Sequence, residues 1–97
     1  MRIIAKRTLK EFWEKHEDSE QALLSWYKVA KAAKWQNFED VKANFGTCKI
    51  LGSDRIIFKI KGNKYRLIVK VTFVHQIFWI RFIGTHSEYD SINAKKI

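Results

Sequence analysis

The sequence has no proline, only four glycines and a single cysteine, Cys48. Without Pro/Gly-rich or repetitive stretches there is no sign of an interdomain linker or a repeat array. One cysteine closes no internal disulfide and supplies too few thiolates for a structural zinc site, which excludes a stapled secreted scaffold and makes a reducing cytoplasm the expected compartment. The three histidines, His16, His75 and His86, show no metal-ligand spacing with one another or with Cys48, so neither metal nor cofactor is expected. P-loop, dinucleotide and serine-elbow motifs are missing. After Met1-Arg2, the apolar run Ile3-Ile4-Ala5 ends at Lys6, too short for a signal peptide. No segment approaches the roughly 20 apolar residues of a membrane span. Acidic residues are missing too from Arg55 to Ser87, although that stretch carries seven Lys or Arg residues at 55, 59, 61, 64, 66, 70 and 81.

What is present is a chain of 97 residues, 46% of them hydrophobic and 14% aromatic. That length suits one domain over residues 1–97, and that composition can form a packed core, which excludes a disordered protein. Nineteen Lys and Arg against ten Asp and Glu leave a net charge of +9. The excess points to an anionic partner such as nucleic acid.

The first half reads as helical. A short strand over residues 1–5 precedes Thr8-Leu9-Lys10-Glu11, whose spacing fits a capping box opening a helix that runs to about His16. Asp18 or Ser19 can cap a second helix, on which Ala22, Leu23, Trp26, Tyr27, Ala30 and Ala33 recur at the spacing of one buried face. Asn37 can start a third, short helix bearing Val41 and Phe45 and ending near Gly46. Trp13, Trp26 and Trp35 read as core, with a partner-contact surface as the alternative, and Cys48 reads as a buried small residue rather than a nucleophile.

From Ile50 the period changes to two. Ile56, Phe58 and Ile60 alternate with Arg55, Ile57, Lys59 and Lys61 up to a turn at Gly62-Asn63. Tyr65, Leu67, Val69, Val71 and Phe73 then alternate with Arg66, Ile68, Lys70 and Thr72. Beyond a turn at His75-Gln76, Phe78, Ile80 and Phe82 alternate with Ile77, Trp79, Arg81 and Ile83. Helices followed by a meander predict an α+β fold, with the helices on one face of a twisted antiparallel sheet. Parity then leaves Arg55, Lys59, Lys61, Arg66, Lys70 and Arg81 on the open face, with Trp79 beside them as a stacking surface. Such a face suits a flexible phosphodiester strand. The plainer alternative is a solvated sheet face with lysines protecting its edges.

Thr85-His86-Ser87-Glu88 repeats the capping spacing and predicts a short C-terminal helix at the end of the basic sheet, where a helix N-terminus favours phosphate. His86 and Tyr89, three residues apart, fall on the same side of that helix. They are candidates for proton transfer and phosphate contact. The alternative is that Thr85 and Glu88 merely cap, Tyr89 packs on the sheet and His86 is solvated.

The strings Gly62-Asn63-Lys64-Tyr65-Arg66-Leu67, Ile80-Arg81-Phe82-Ile83-Gly84-Thr85-His86 and Glu88-Tyr89-Asp90, with Phe12-Trp13 and Trp26-Tyr27 upstream, resemble the HigB-type toxins of the RelE-like superfamily. The resemblance covers essentially the whole chain. It implies a RelE-like fold and an mRNA interferase, commonly acting in the ribosomal A site, held inactive by a HigA-type helix-turn-helix antitoxin. For such an enzyme the expected reaction is metal-free attack of a ribose 2′-OH on the adjacent phosphate. Arg66 and Arg81 are then the candidates for stabilising the transition state, supported by Lys59 and Lys70. His86 is the candidate proton shuttle, Tyr89 would position the phosphate or stack on a base, and Asp90 would orient a side chain. Arg55, Lys61, Asn63, Lys64 and Trp79 complete the expected RNA surface. Two other classes fit the same basic face: an RNA-binding module without catalysis, and a structural domain that docks an acidic protein.

Overall fold

The computed structural model describes all residues from Met1 to Ile97. Its elements are, in order, β1 (Arg2–Ile4), α1 (Lys6–Lys15), a 3-10 turn (Glu17–Ser19), α2 (Glu20–Ala32), α3 (Phe38–Asn44), β2 (Lys49–Leu51), β3 (Arg55–Ile60), β4 (Tyr65–Thr72), β5 (Ile77–Thr85) and α4 (His86–Asp90). The five strands form one open sheet in the order β1-β5-β4-β3-β2. β2 to β5 form the antiparallel meander, as the period-two pattern requires. β1 adds in parallel to the outer edge of β5, with Ile3 opposite Phe78, so the sheet is mixed rather than purely antiparallel. A parallel neighbour needs a long crossover, and here everything from α1 to β4 supplies it.

The helical layer covers one face. Leu9, Leu23, Trp26, Ala30, Trp35 and Val41 pack on Ile56, Phe58, Leu67, Val69, Val71 and Phe78. The Phe78 ring stacks on Trp35 and Trp26 at centroid distances of 5.6 and 6.1 Å, and Trp26 meets Phe58 edge-on at 5.3 Å.

The helix starts differ from the sequence reading. α1 begins at Lys6 behind Ala5, which makes no side-chain cap, and Thr8 lies inside the helix. Once β1 leaves the sheet edge the chain turns directly into the helix, and Glu11 instead pairs with Arg7 at 3.1 Å. Ser19 precedes α2, but its hydroxyl donates to the His16 carbonyl at 2.7 Å rather than capping. Asn37 does cap α3, accepting from the Asp40 amide at 2.9 Å.

Asp18 serves a longer-range purpose. It accepts from the Lys64 ammonium and the Tyr65 hydroxyl, and the Lys61 ammonium lies 4.0 Å away. The α1–α2 junction is thereby tied to the β3–β4 hairpin. These donors hold the Asp18 carboxyl down, from an ordinary 3.8 to about 2. The folded state therefore binds fewer protons than the unfolded chain between those two values. The resulting stabilisation is fully present above about pH 4 and is lost as pH falls towards 2. Asp18→Asn should lower the urea midpoint at pH 7, with the gap to wild type closing by about pH 2. A constant gap across an acid titration would overturn this.

β5 does not keep its alternation. Val69 pairs with Ile80 and Ile68 with Phe82, leaving Arg81 as the extra residue of a β-bulge. Parity inverts beyond it, so Ile83, not Phe82, joins Phe78 and Ile80 on the helix side. Phe82 turns onto the opposite face, opposite Ile68.

That opposite face is only partly open. Ile57 and Ile68 lie on it by register, yet they are 1% and 0% exposed and stand outside the helix-side core. α4 packs back on β4 and β5, and the chain after it returns over β3. Arg55 marks that return: its Nε and Nη2 donate to the Ile97 carbonyl at 3.2 and 3.0 Å. Two apolar side chains at wet-face positions would otherwise sit in water, and they are buried on the face to which α4 and the chain after it return.

Candidate nucleic-acid interface

The free part of the face lies along β4 and β5, between the C-terminal segment and β1. Register sets its rows. Lys59, Arg66 and Gly84 lie side by side at one end. Ile68 and Phe82 form the next row, and Arg55, Lys70, Trp79 and Ile4 the row beyond the bulge.

Arg66 is the centre of the first row. Its Cζ sits 5.2 Å from the Tyr89 ring centroid, a cation–π contact that fixes the guanidinium under α4. It takes part in none of the ion pairs of the molecule, and its Nε is buried without a hydrogen-bond partner. A guanidinium held in place yet unneutralised is ready for an external anion. His86 stands edge-on to Tyr89 at 6.4 Å, and its Nδ1 lies 3.1 Å from Asp90 Oδ2. The Nδ1 contact leaves Nε2 free. Arg81, on the bulge, is exposed and has no carboxylate partner.

The short helix that supplies three of these groups starts where the sequence indicates. The Thr85 hydroxyl accepts from the Glu88 amide at 3.2 Å, while the Thr85 amide donates to Glu88 Oε1 at 2.9 Å. Those bonds lower the Glu88 carboxyl pKa. They also set a carboxylate on the Thr85 amide, at the N-terminus where a phosphate is expected. α4 is moreover a single turn, His86–Asp90, with little dipole to offer.

Not every expected RNA contact is available. Arg55 is tied to Asp54 at 2.9 Å and to the Ile97 carbonyl, and its side chain is 11% exposed. Lys61 and Lys64 lie in the hairpin turn beyond β3 and face Asp18 instead of the open face. Strand parity fails for Lys61 because β3 ends at Ile60 and Lys61 has a positive φ of 53°. Asn63 is exposed in the same turn. Lys59 and Lys70 stay on the open face, with Trp79 half-buried opposite Lys70. Phe82, expected in the core, joins this face through the bulge.

Other features take no part. Cys48 is buried, which pushes its thiol pKa up. The largest groove, about 600 Å³, lies at the far end of the sheet beside Arg2, Lys31, Lys34 and His75. No three His, Cys, Asp or Glu side chains are grouped so that they could hold a metal ion. No helix is long and apolar enough to cross a membrane.

Helices on one face of a twisted sheet, and guanidinium groups without carboxylate partners among aromatic rings on the other, define an α+β protein with a basic, aromatic sheet face. Comparison with known proteins gives that build a family. Residues 19–92 match HigB_toxin, described as the RelE-like toxic component of a toxin-antitoxin system, and the chain belongs to that family. It is 28% identical over 94 residues to "mRNA interferase HigB" of Escherichia coli O6:H1, covering 95% of this chain and 91% of that protein. It is 29% identical over 97 residues to "mRNA interferase toxin HigB" of Escherichia coli K12, covering 97% and 92% respectively. The same values hold for "mRNA interferase HigB" of Shigella flexneri.

Proposed function

We propose that the protein is an mRNA interferase, the toxin of a type II toxin–antitoxin pair, that cleaves mRNA on the ribosome and is neutralised by a HigA-type helix-turn-helix antitoxin. The observation that carries this reading is the grouping of Arg66, Tyr89, His86 and Asp90 at one end of the basic face. The printed names of the relatives support it.

The reaction needs cations for the phosphate oxygens and carriers for two protons. The 2′-oxygen bonds to the adjacent phosphorus, the bond from phosphorus to the 5′-oxygen breaks, and a 2′,3′-cyclic phosphate and a 5′-OH remain. Negative charge grows on the non-bridging oxygens in the transition state. Arg66 and Arg81, with Lys59 and Lys70 nearby, are the cations that meet it. One proton leaves the 2′-OH and one arrives at the 5′-oxygen. His86 Nε2 moves one of them and solvent water exchanges the other, with Asp90 on Nδ1 fixing the ring's orientation and tautomer.

The test is a map of new 5′ ends on a defined mRNA, with and without programmed ribosomes, together with end-group analysis. Cleavage only with ribosomes, leaving 5′-OH ends, is expected, and His86→Ala should slow it about 10²- to 10⁴-fold. A 2′-deoxy substitution at the cut nucleotide should abolish it. No cleavage in either arm, with salt-sensitive RNA retention, would instead establish a binding module.

A further inference from the structure

The bulge at Arg81 turns Phe82 out of the core and onto the basic face, in the row next to Arg66. Its position there is specific. A Cβ built on Gly84 would come within 2.5 Å of Phe82 Cζ and 3.1 Å of Cε2, so the far edge of the ring occupies the space a side chain at 84 would need. Gly84 is the Cα partner of Arg66 across β4. The ring therefore lies over β5 one strand spacing, about 4.8 Å, from the backbone that carries Arg66. Arg81, exposed and unpaired, is its chain neighbour on the other side. The ring is only half-buried. An aromatic surface with one unneutralised arginine in the neighbouring row and another beside it in the chain suits single-stranded RNA, with phosphates on the cations and a base on the ring.

We propose that Phe82 is a base-stacking residue of the RNA site, seated by the missing side chain of Gly84. Stacking on it holds one nucleotide of the substrate while the neighbouring phosphate meets Arg66. This rests on the interferase reading above. The bulge is what makes it possible, because unbroken alternation would have buried Phe82 beside Phe78.

The experiment is single-turnover cleavage of a defined mRNA on programmed ribosomes at saturating protein, using RNAs in which one base at a time near the cut site is replaced by an abasic residue. For wild type, one abasic position should lower the rate about 10- to 100-fold. Phe82→Leu should lose a similar factor on intact RNA and lose nothing more at that abasic position, while Phe82→Trp keeps both the rate and the sensitivity. Melting midpoints separate these effects from unfolding, and a retained abasic penalty would expose a merely structural role. If Phe82→Leu cleaves like wild type, or keeps the full abasic penalty, the proposal is overturned. If wild type itself cleaves no RNA in either arm, it is the interferase reading that fails.

Discussion

Arg66→Ala is expected to lower the cleavage rate about 10²- to 10³-fold, the usual loss when one preorganised donor is removed from a site where oxyanion charge develops. The size follows from two features of the residue. Its guanidinium is fixed beforehand by the Tyr89 ring at 5.2 Å, so little ordering remains to be done when substrate arrives. It also carries no protein counter-ion, so its field is not already spent on a carboxylate. Arg66→Lys keeps the charge but loses the planar fork and the stacking on Tyr89, and should recover only part of the rate. The contrasting variant is Arg55→Ala. That guanidinium is bound to Asp54 and the Ile97 carbonyl, so its loss should appear in the melting midpoint and hardly in cleavage measured on folded protein. Equal losses in cleavage for Arg66→Ala and Arg55→Ala would refute this placement of the site.

Much of this architecture is visible in the sequence because it is local. The period-two pattern from Arg55 to Thr72 places the helix-facing and open-face residues of β3 and β4 correctly. The Thr85–Glu88 spacing likewise sets the start of α4 and, with it, the positions of His86, Tyr89 and Asp90. What is not visible is non-local or lacks a signature. A bulge adds one residue to a strand, and Ile80-Arg81-Phe82-Ile83 offers an apolar residue at either parity, so alternation alone cannot tell Phe82 from Ile83. Asp18 meets Lys61, Lys64 and Tyr65 only after the α1–α2 junction has packed beside the hairpin, a contact between residues more than forty positions apart. The cover over Ile57 and Ile68 did leave a trace. Two isoleucines at open-face parity among lysines and arginines signal that part of the face is buried, and it is the face to which α4 and the chain after it return.

The largest stability effect is expected four residues before Phe82 on the same strand. Phe78 is fully buried, with Trp26, Trp35 and Phe58 around it at centroid distances of 5.6 to 6.1 Å. Trp26 comes from α2, Trp35 from the connection between α2 and α3, and Phe58 from β3, so this one ring joins the helical side to the sheet. Truncation to alanine leaves a cavity that the flanking aromatic side chains cannot fill without moving together, and such changes cost about 3–5 kcal/mol. For a domain of this size each kcal/mol moves the melting midpoint by about 4–8 °C. Phe78→Ala should therefore melt about 12–40 °C below wild type, using much of a typical net stability of about 5–15 kcal/mol. Phe78→Leu keeps most of the volume and should lose far less. Phe82→Leu, on the other side of the bulge, should barely change the midpoint while altering cleavage. A scan in which the positions 78 and 82 exchange these behaviours would place the bulge elsewhere and return Phe82 to the core.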